Sequence, residues 1–388
     1  LTRGASQGSA RRATSPQPTI STLDRLPHHP AGAVRCDRFT LFIHGLSHAA
    51  MSYQVTLKPS QHTFTTDAET RLLDAALAAG FNLPYGCRNG ACGSCKGKIL
   101  SGTVDYRKHQ AAKLTDAEKA QGFALFCCAT ARSDLELECR EVGGMKDIAV
   151  RIMPTRVQKL ERLAPDVMAV SLKLPANERL QYLAGQYIDF LLRDGKRRSF
   201  SIANAPHDDE FLTLHIREVP GGHFTGHVFS AMKERDILRF EGPLGSFFLR
   251  EDVDRPVIMV AGGTGFAPIK AIIEHAIETG YDKPITLYWG ARTKQDLYMH
   301  DLAASWVDRL PGFRYIPVLS EPASGDAWTG RTGFVHQVVM TDLPDLAGHQ
   351  VYACGGPAMI DAAKADFTRQ CNLPIEHFHA DSFTYSPQ

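Results

Sequence analysis

Apolar and polar residues alternate along several short stretches of the chain, and the first clear set begins just after Met51. Residues 53–57 and 62–66 alternate with a period of two, which predicts an antiparallel hairpin. A short helix ending near Gly80 should follow, because one helical face collects the apolar residues Leu72, Leu73, Ala76 and Leu77. This pattern is typical of a small mixed α and β module.

The same module continues through a strand at 96–100 and a second alternating stretch at 134–139. Thr115 and Glu118 have the spacing of a capping box, so a helical turn should begin there. In the last stretch Cys139 falls on the apolar face of the strand, and we therefore expect it to be a core residue rather than a ligand. We predict that this α+β module spans residues 51–145.

Two further patterns divide the rest of the chain. Between 148 and 250, short alternating strands separated by turn residues predict an antiparallel β-barrel. From 255 to 388, strands alternate with helices, as in a parallel α/β sheet. The clearest pair is a buried strand at 256–261 and a helix at 269–279. The fold class is therefore multi-domain, combining α+β and α/β architectures.

Composition adds bounds to this picture. The chain has 388 residues, 44% of them hydrophobic, and 43 Lys and Arg against 42 Asp and Glu. This even balance gives no basic field for nucleic acid or an anionic membrane surface, and no apolar run has the length of a membrane span. Because the nine cysteines cluster at metal-ligand spacing instead of forming a disulfide framework, we expect a cytoplasmic protein.

Residues 1–50 differ from the rest of the chain. They are rich in Ser, Pro, His and Arg, have only Asp24 and Asp37 as acids, and show poor periodicity. A disordered tail and a transit peptide both fit this composition. We favour a third interpretation, in which Met51 is the natural start and the preceding segment is upstream sequence. The segment is therefore left out of the fold prediction.

Three cysteines and three glycines alternate in the stretch YGCRNGACGSC. Cys87, Cys92 and Cys95 have C-x4-C-x2-C spacing, and the glycines allow a loop to turn three thiolates toward one point. Zinc sites usually show separated C-x2-C pairs, whereas this uneven spacing is typical of a [2Fe–2S] site with a distant fourth cysteine. A redox-inactive cysteine-rich turn is the alternative.

Cys127 and Cys128 are the candidates for the fourth ligand. Because they are adjacent, an extended backbone would point them in opposite directions, and only one should reach the cluster. The three-cysteine loop and the segment FCCATARSD resemble plant-type ferredoxins. In that family the ligand lies seven residues before the aspartate, here Asp134, so the resemblance implies Cys127 as ligand and Cys128 as an inward-packing residue.

Candidate flavin-binding residues lie in the middle domain. The segment 197–201 places cation, aromatic ring and hydroxyl close together, and these groups suit a phosphate, a planar ring and a ring nitrogen. Further on, the sequence PGGHFT precedes a predicted helix at 226–232, where backbone N–H groups could meet a pyrophosphate. Each signal is weak alone, since exposed strands often carry Arg and Ser.

A glycine-rich loop follows the buried strand at 256–261. Its sequence GGTGFAP could bring the pyrophosphate of a dinucleotide to the positive end of the next helix, where Pro268 suits the first turn. A tight strand-to-helix turn without a ligand is the alternative interpretation.

Together these segments resemble the ferredoxin–NADP reductase superfamily. Its R-x-Y-S signature corresponds to 198–201, with Phe in place of Tyr. The resemblance implies FAD as cofactor, bound through Arg198, Phe200, Ser201, Ile216, Arg217, Gly222 and Thr225.

The resemblance also implies a nicotinamide site. Its C-G-G-P segment corresponds to 354–357, and its terminal E-x-F corresponds to 381–383, with Asp in place of Glu. The implied dinucleotide-binding residues are Gly263, Thr264, Gly265, Pro268, Arg292, Cys354, Gly355, Pro357 and Phe383. Arg292 and Lys294 lie where a 2′-phosphate could bind, yet the segment GARTKQDLY is similar to NADH users, so NADH is favoured.

The three resemblances imply a reductase with a β-grasp-like [2Fe–2S] ferredoxin domain (51–145), an FAD-binding barrel (148–250) and an NAD-binding domain (255–388). NADH gives up two electrons as a hydride and a [2Fe–2S] cluster accepts one, so a flavin must stand between them. The expected catalytic residues are Ser201, Cys354 and Asp381, and the expected metal ligands are Cys87, Cys92, Cys95 and Cys127.

The acceptor is expected to be a partner protein. Reductases of oxygenases and of deoxysugar synthesis share this domain order, and the cysteine segments look closest to reductases of CDP-6-deoxyglucoseen-type dehydrases. A reductase component of a ring-hydroxylating or multicomponent oxygenase is one alternative. The alternative from another functional class is a non-catalytic redox sensor.

Overall fold

The computed structural model describes residues 52–143 and 148–384. The segment 1–50, treated above as a tail or upstream sequence, lies outside the described residues. Within the described ranges, no helix combines the length and the apolar character that a membrane span requires.

The first module is a five-stranded sheet covered by a helix. The sheet order is β2-β1-β7-β3-β5, in which β1 and β7 run parallel and the other neighbours run antiparallel. The elements are β1 (Ser52–Lys58), β2 (Thr63–Asp67), α1 (Leu72–Ala78), β3 (Lys96–Ser101), β4 (Val104–Asp105), α2 (Asp116–Ala120), β5 (Phe123–Leu125), β6 (Thr130–Ala131) and β7 (Leu135–Glu138).

Most local predictions for this module agree with the structure. The hairpin of β1 and β2 is antiparallel, and Thr115 forms the predicted capping box with Glu118. Cys139 is different: β7 ends at Glu138, so Cys139 lies just beyond the strand and is only partly buried against the core. Cys139 therefore packs against the core as predicted, but at its edge and outside the strand that was predicted to hold it.

The second module is an antiparallel barrel with strand order β11-β10-β13-β8-β9-β12. A bridge between Ile202 and Leu214 brings its two edge strands together. The elements are β8 (Arg151–Ala164), β9 (Val167–Lys173), β10 (Tyr187–Leu191), β11 (Arg197–Ser201), β12 (Leu212–Arg217), α3 (His223–Ser230) and β13 (Ile237–Leu244). The helix begins three residues before the predicted 226, directly after Gly222, because Phe224 and Val228 form its buried face.

The third module is an entirely parallel sheet of order β17-β16-β15-β14-β18-β19, with helices on both faces. The elements are β14 (Val257–Gly262), α4 (Phe266–Thr279), β15 (Ile285–Ala291), α5 (His300–Ser305), β16 (Arg314–Leu319), β17 (Arg331–Thr332), α6 (Val335–Asp342), β18 (Gln350–Gly355), α7 (Pro357–Gln370) and β19 (Phe378–Ser382). Helix α4 begins at Phe266, earlier than the predicted 269, and Pro268 lies in its first turn. The predicted multi-domain fold class is confirmed.

The modules contact one another directly. The core of the first module includes Tyr187 and Leu244, which belong to the barrel. The Ser246 hydroxyl donates to the carbonyl of Tyr85 at 2.9 Å and accepts from the Tyr85 amide at 2.9 Å. These contacts hold the cysteine loop of the first module against the barrel.

Candidate functional site

The cysteine loop connects α1 to β3 without regular secondary structure, and its glycines permit its shape. Gly90 and Gly93 have φ values of +78° and +81°, which favour glycine. A Cβ on Gly90 would come within 2.7 Å of the Cys128 sulfur, so the loop also needs the missing side chain at this point. The sequence therefore forms a close-packed loop around its thiols.

Backbone amides of this loop point at two of its sulfurs. The amides of Ala91 and Cys92 each lie 3.3 Å from the Cys87 sulfur, and the Cys87 amide lies 3.4 Å from the Cys92 sulfur. The neighbouring Cys87 thiol and, to a smaller extent, the Cys87 amide lower the pKa of the Cys92 thiol below its usual value. Donors directed at sulfur stabilise thiolates, which are the form that binds iron.

The thiols are arranged as pairs. Cys87 lies beside Cys92, and Cys127 lies beside both Cys128 and Cys95. Among residues 52–143 and 148–384, no group of three or more His, Cys, Asp or Glu side chains gathers closely enough to hold a single metal ion. Two thiol pairs instead suit a cluster with two irons, each bound by two cysteines. The four predicted ligands therefore fit a [2Fe–2S] group.

The neighbouring cysteines Cys127 and Cys128 do not point in opposite directions as predicted. They lie in a turn closed by hydrogen bonds from Cys128 and Ala129 to the carbonyl of Leu125, at 2.9 Å each, and not in extended backbone. Their sulfurs are consequently only 3.7 Å apart, and both are buried. The prediction of extended backbone at this point was therefore wrong. The assignment of Cys127 as the fourth ligand depends on its position beside Cys95 and on the resemblance to plant-type ferredoxins.

The predicted flavin strand is β11, which forms a hairpin with β10. Phe200 lies beside Phe190 and Phe224, with ring centroids 5.9 and 5.5 Å away. Ser201 is buried at the inner end of the strand. Arg198 is half-buried and its guanidinium donates to the carbonyl of Arg197 at 2.8 Å. The three types of group needed for a flavin nucleotide therefore share one strand.

The predicted phosphate-binding segment runs from the end of β12 into α3. Thr225 accepts a hydrogen bond from the Val219 amide at 3.1 Å, and a Cβ on Gly222 would lie 2.6 Å from the Thr225 hydroxyl. Ile216 is fully buried, so only its backbone can face a ligand. Arg217 pairs with Asp166 at 3.3 Å, while its Nε and one terminal nitrogen are buried without a partner. Such a cation suits a phosphate oxygen.

The glycine-rich loop between β14 and α4 packs against the end of β18. A Cβ on Gly265 would overlap the carbonyl of Cys354, and one on Gly263 would approach the Arg217 guanidinium at 3.3 Å. Gly263 has a φ of +53° and accepts a hydrogen bond from the Trp289 indole at 3.0 Å. Packing against β18 and the hydrogen bond from Trp289 therefore fix the conformation of this loop without a ligand.

The last strand brings an acid to the flavin strand. The Ser201 hydroxyl donates to the Asp381 carboxylate at 3.2 Å, and Asp381 lies opposite Cys354 in the pairing of β19 with β18. Burial raises the pKa of Asp381 to about 7, with a smaller contribution from Cys92, against the lowering effect of the Ser201 hydrogen bond. Burial also raises the pKa of the Cys354 thiol well above its usual value, with help from Asp381, so that thiol is neutral.

A single cavity of about 1100 Å³ joins these parts. Its wall includes residues from the cysteine loop, the flavin strand, the phosphate segment and the nucleotide domain. The predicted residues on this wall are Cys87, Arg198, Phe200, Ser201, Arg217, Gly222, Thr225, Thr264, Arg292, Asp381 and Phe383. This volume is slightly above the usual range for small-molecule and cofactor sites, about 300–1,000 Å³.

Other predicted residues do not line the cavity. Several lie directly behind its wall: Gly265 touches Cys354, and Gly355 accepts a hydrogen bond from the Phe383 amide at 2.9 Å. Pro357 occupies the first position of α7. The predicted residues absent from the wall are Cys92, Cys95, Cys127, Ile216, Gly263, Gly265, Pro268, Cys354, Gly355 and Pro357.

The sequence analysis missed several cavity residues. His215 lies on the wall and contacts the Tyr298 hydroxyl at 3.1 Å, which links the barrel to the nucleotide domain. Burial lowers the pKa of His215 to about 3, so it is neutral at working pH. Tyr187 lies directly opposite Ser201 in the β10–β11 hairpin. Its position could have been found by pairing the two predicted strands across the turn at Asp194–Gly195.

Three family models match successive parts of the chain. The 2Fe-2S iron-sulfur cluster binding domain matches residues 55–132, the oxidoreductase FAD-binding domain matches 154–249, and the oxidoreductase NAD-binding domain matches 259–365. The predicted cofactor set of a [2Fe–2S] cluster, FAD and NAD is thereby confirmed.

Relatives match over nearly the same length. A CDP-6-deoxy-L-threo-D-glycero-4-hexulose-3-dehydrase reductase of Yersinia pestis is 42% identical, covering 87% of this chain and 100% of the relative. Reductase component 1 of terephthalate 1,2-dioxygenase from a Comamonas species is 36% identical, covering 87% and 99%.

Two solved structures are also similar to this chain over most of its length. The cytochrome P450 reductase GcoB of Amycolatopsis is 32% identical with a TM-score of 0.71, covering 86% of this chain and 99% of that one. The ferredoxin reductase in carbazole 1,9a-dioxygenase is 29% identical with a TM-score of 0.63, covering 87% and 100%. The chain therefore belongs to the ferredoxin–NADP reductase superfamily, as an iron–sulfur flavoprotein oxidoreductase whose [2Fe–2S] domain precedes its FAD- and NAD-binding domains.

Proposed function

We propose that this protein oxidises NADH and passes the electrons through FAD and the [2Fe–2S] cluster to a deoxysugar dehydrase of the CDP-6-deoxyhexulose type. The observation that carries the proposal is the shared cavity. Its wall brings Cys87 of the cysteine loop within the same space as Ser201 of the flavin strand and Thr264 of the nucleotide loop. A flavin in that space would have the nucleotide on one side and a cluster ligand on the other.

The residues of the barrel would hold the flavin. FAD, when bound, accepts a hydride and releases electrons singly. The Phe200 ring offers a face to a planar ring system, and the unpartnered nitrogens of Arg217 suit a phosphate oxygen. The amides that follow Gly222 at the start of α3 suit a pyrophosphate. These groups are fixed by packing before the ligand arrives.

Ser201 and Asp381 would control the hydrogen bonding where the hydride is transferred. When Asp381 is ionised, it accepts the hydroxyl proton of Ser201 at 3.2 Å, and that hydroxyl is no longer free to donate to a ring nitrogen. When Asp381 is protonated, it can donate instead, and the Ser201 hydroxyl is released. Cys354 lies beside Asp381 as a buried neutral thiol that excludes water.

The choice of a dehydrase as acceptor is supported by the identity of 42% to the Yersinia reductase, against 36% to the terephthalate dioxygenase component. An oxygenase is the second candidate acceptor, because that component also matches almost full length. NADH is proposed over NADPH because Arg292 has the carboxylate of Asp296 3.7 Å from its Nε, which would oppose a 2′-phosphate.

An anaerobic titration with NADH, followed by absorbance and EPR, tests the electron route. Full reduction should take about 1.5 equivalents of NADH per chain, since FAD accepts two electrons and the cluster one. A rhombic EPR signal of the reduced cluster should appear. A protein with full iron and flavin that shows no such signal with NADH would contradict the proposal.

Coupled assays test the acceptor. The protein is mixed with NADH and either a CDP-6-deoxyhexulose dehydrase with its substrate or an oxygenase component with its substrate. We expect stimulation of product formation only with the dehydrase. Stimulation of the oxygenase alone would replace the first candidate by the second.

A further inference from the structure

Tyr187 is a barrel residue whose ring lies in the core of the neighbouring module. It begins β10, is only 5% exposed, and packs with the residues of the first core. Gly245 makes room for it: a Cβ at that position would lie 2.8 Å from the Tyr187 ring. The ring is therefore held on both sides of the boundary between the modules.

The hydroxyl of Tyr187 reaches the cysteine loop. It donates a hydrogen bond to the carbonyl of Gly86 at 2.6 Å, the residue just before Cys87. A Cβ on Gly86 would lie 3.3 Å from the Cys92 sulfur, so the accepting residue lies close to a second predicted ligand. The hydrogen bond thus ends one residue from a predicted iron ligand.

The backbone of the same tyrosine faces the flavin strand. Tyr187 pairs with Ser201 in the antiparallel register of β10 and β11. Tyr187, Ser201, Gly86 and Cys87 all contribute to the wall of the cavity. Tyr187 therefore connects the flavin strand to the cysteine loop that holds the predicted iron ligands.

Two other contacts support the same boundary. Ser246 and Tyr85 exchange hydrogen bonds, and Arg88 of the cysteine loop lies between Asp74 at 2.9 Å and Glu241 of the barrel at 3.7 Å. Both contacts hold the cysteine loop against the barrel, but neither contact involves a residue that pairs with Ser201 of the flavin strand. Glu241 also pairs with Arg197 at the far end of the flavin strand, whereas Tyr187 joins the cysteine loop to that strand at Ser201 itself.

We propose that Tyr187 is a positioning residue, which fixes the cysteine loop at the flavin strand and thereby sets the rate of electron transfer from FAD to the cluster. In this step one electron leaves the reduced flavin and converts one Fe(III) of the cluster to Fe(II). Two such steps, each followed by transfer to a one-electron acceptor, use the two electrons of one NADH and release one proton. The inference rests on the proposed electron route.

The test compares Tyr187→Phe with Tyr182→Phe in the full-length holoprotein. Tyr182 is a matched control, because it is also a buried barrel tyrosine whose hydroxyl donates to a backbone carbonyl, that of Asn204 at 3.0 Å. Each protein is mixed rapidly and anaerobically with NADH, and flavin and cluster reduction are followed at separate wavelengths.

We expect Tyr187→Phe to slow cluster reduction by about three- to tenfold, because without this net hydrogen bond the cysteine loop is at the flavin strand for a smaller share of the time. Flavin reduction should stay unchanged. Tyr182→Phe should change neither rate. Unchanged cluster reduction in Tyr187→Phe, or equal slowing of both steps, would overturn the inference. If the wild-type flavin is not reduced by NADH at all, the proposed function fails instead.

Hydrogen–deuterium exchange gives a readout that does not depend on turnover. Amides of residues 86–95 should exchange faster in Tyr187→Phe and at the wild-type rate in Tyr182→Phe. If Tyr187→Phe does not fold, Ser246→Ala loosens the same boundary and should show smaller changes in the same direction. Faster exchange without slower cluster reduction would reject Tyr187 as a positioning residue.

Discussion

The contact between Ser201 and Asp381 joins residues that are 180 positions apart in the chain. The family pattern has Glu at the position of Asp381, and the shorter side chain still reaches the serine hydroxyl at 3.2 Å. Burial accounts for most of the raised pKa of Asp381. The carboxyl therefore changes its charge in the range where the protein would work.

This leads to a prediction for the pH dependence of flavin reduction. Below pH 7 Asp381 is protonated and leaves the Ser201 hydroxyl free; above it the carboxylate binds that hydroxyl. We expect the rate of flavin reduction by NADH to fall as pH rises through about 7. In Asp381→Asn this step should disappear from the pH profile measured by stopped flow.

Asp166→Asn serves as the control, since Asp166 also lies on the cavity wall but pairs with Arg217 and not with Ser201. It should keep the pH step. A step that persists in Asp381→Asn would show that another group titrates.

The adjacent cysteines give a second prediction at this scale. Cys127 lies beside Cys95 as well as Cys128, whereas the Cys128 sulfur lies beside Cys127 and against Gly90. We expect Cys127→Ser to lose the visible absorption and EPR signal of the cluster, and Cys128→Ser to keep both. Iron content measured after purification should follow the same order. The reverse result would exchange the two assignments.

At the scale of elements, the starts of two helices explain how the predicted phosphate-binding loops are held. Helices α3 and α4 both begin earlier than periodicity predicted, at His223 and Phe266. In α4 a single 3₁₀ turn at Gly263–Gly265 leads into the helix, and apolar spacing does not reveal such a turn. Its tight contact with the carbonyl of Cys354 is a packing feature of distant residues.

Gly265→Ala tests that packing. The new Cβ would overlap the Cys354 carbonyl, and backbone cannot move aside cheaply, so we expect a loss of about 1–3 kcal/mol in the free energy of unfolding. KM for NADH should rise, while FAD and iron content remain.

Gly348→Ala is the matched control in the same domain, because its Cβ would meet no atom within 4 Å. Denaturant unfolding and steady-state kinetics measure both variants. Equal behaviour of the two variants would argue against the close approach of the glycine loop to β18.

Most of the fold and the cysteine loop could be predicted from local sequence patterns. Apolar and polar alternation located strands in the first two modules, where strands bury one face, and a continuous apolar run located the buried strand β14 of the third. Cysteine and glycine spacing is likewise a local property. The pairing of Ser201 with Asp381, the turn at Cys127 and the contact of His215 with Tyr298 were not predictable in this way. The two contacts depend on which distant segments the tertiary fold brings together, whereas the turn is local but contains no Gly or Pro that would indicate it.

At the scale of the whole molecule, the nucleotide domain also touches the cysteine module. The Lys113 ammonium lies 2.6 Å from both carboxylate oxygens of Asp361, which is on α7. The Lys113 side chain is 11% exposed and Asp361 is 56% exposed, so solvent screens the pair from one side. Helix α7 begins at Pro357, next to the predicted nicotinamide segment.

Asp361→Asn should therefore lower the free energy of unfolding by about 1 kcal/mol or less, the range of partly exposed ion pairs. The control is Asp116→Asn, which removes a 98% exposed partner of Lys119 and should have no measurable effect. Urea unfolding at low and high salt distinguishes them, because the Asp361 effect should shrink with salt. Identical effects of both substitutions would mean that the contact between modules contributes nothing.

The presence of Tyr187 and Leu244 in the first core has a consequence for engineering. A chimaeric reductase could be made by moving this iron–sulfur module onto the FAD-binding domain of another reductase, so that the hybrid reaches a different acceptor. Without Tyr187, the transplanted module would have a cavity in its core at the position of the tyrosine ring. A successful hybrid must carry the strand segment around Tyr187 and the turn at Leu244–Ser246 together with the transplanted block.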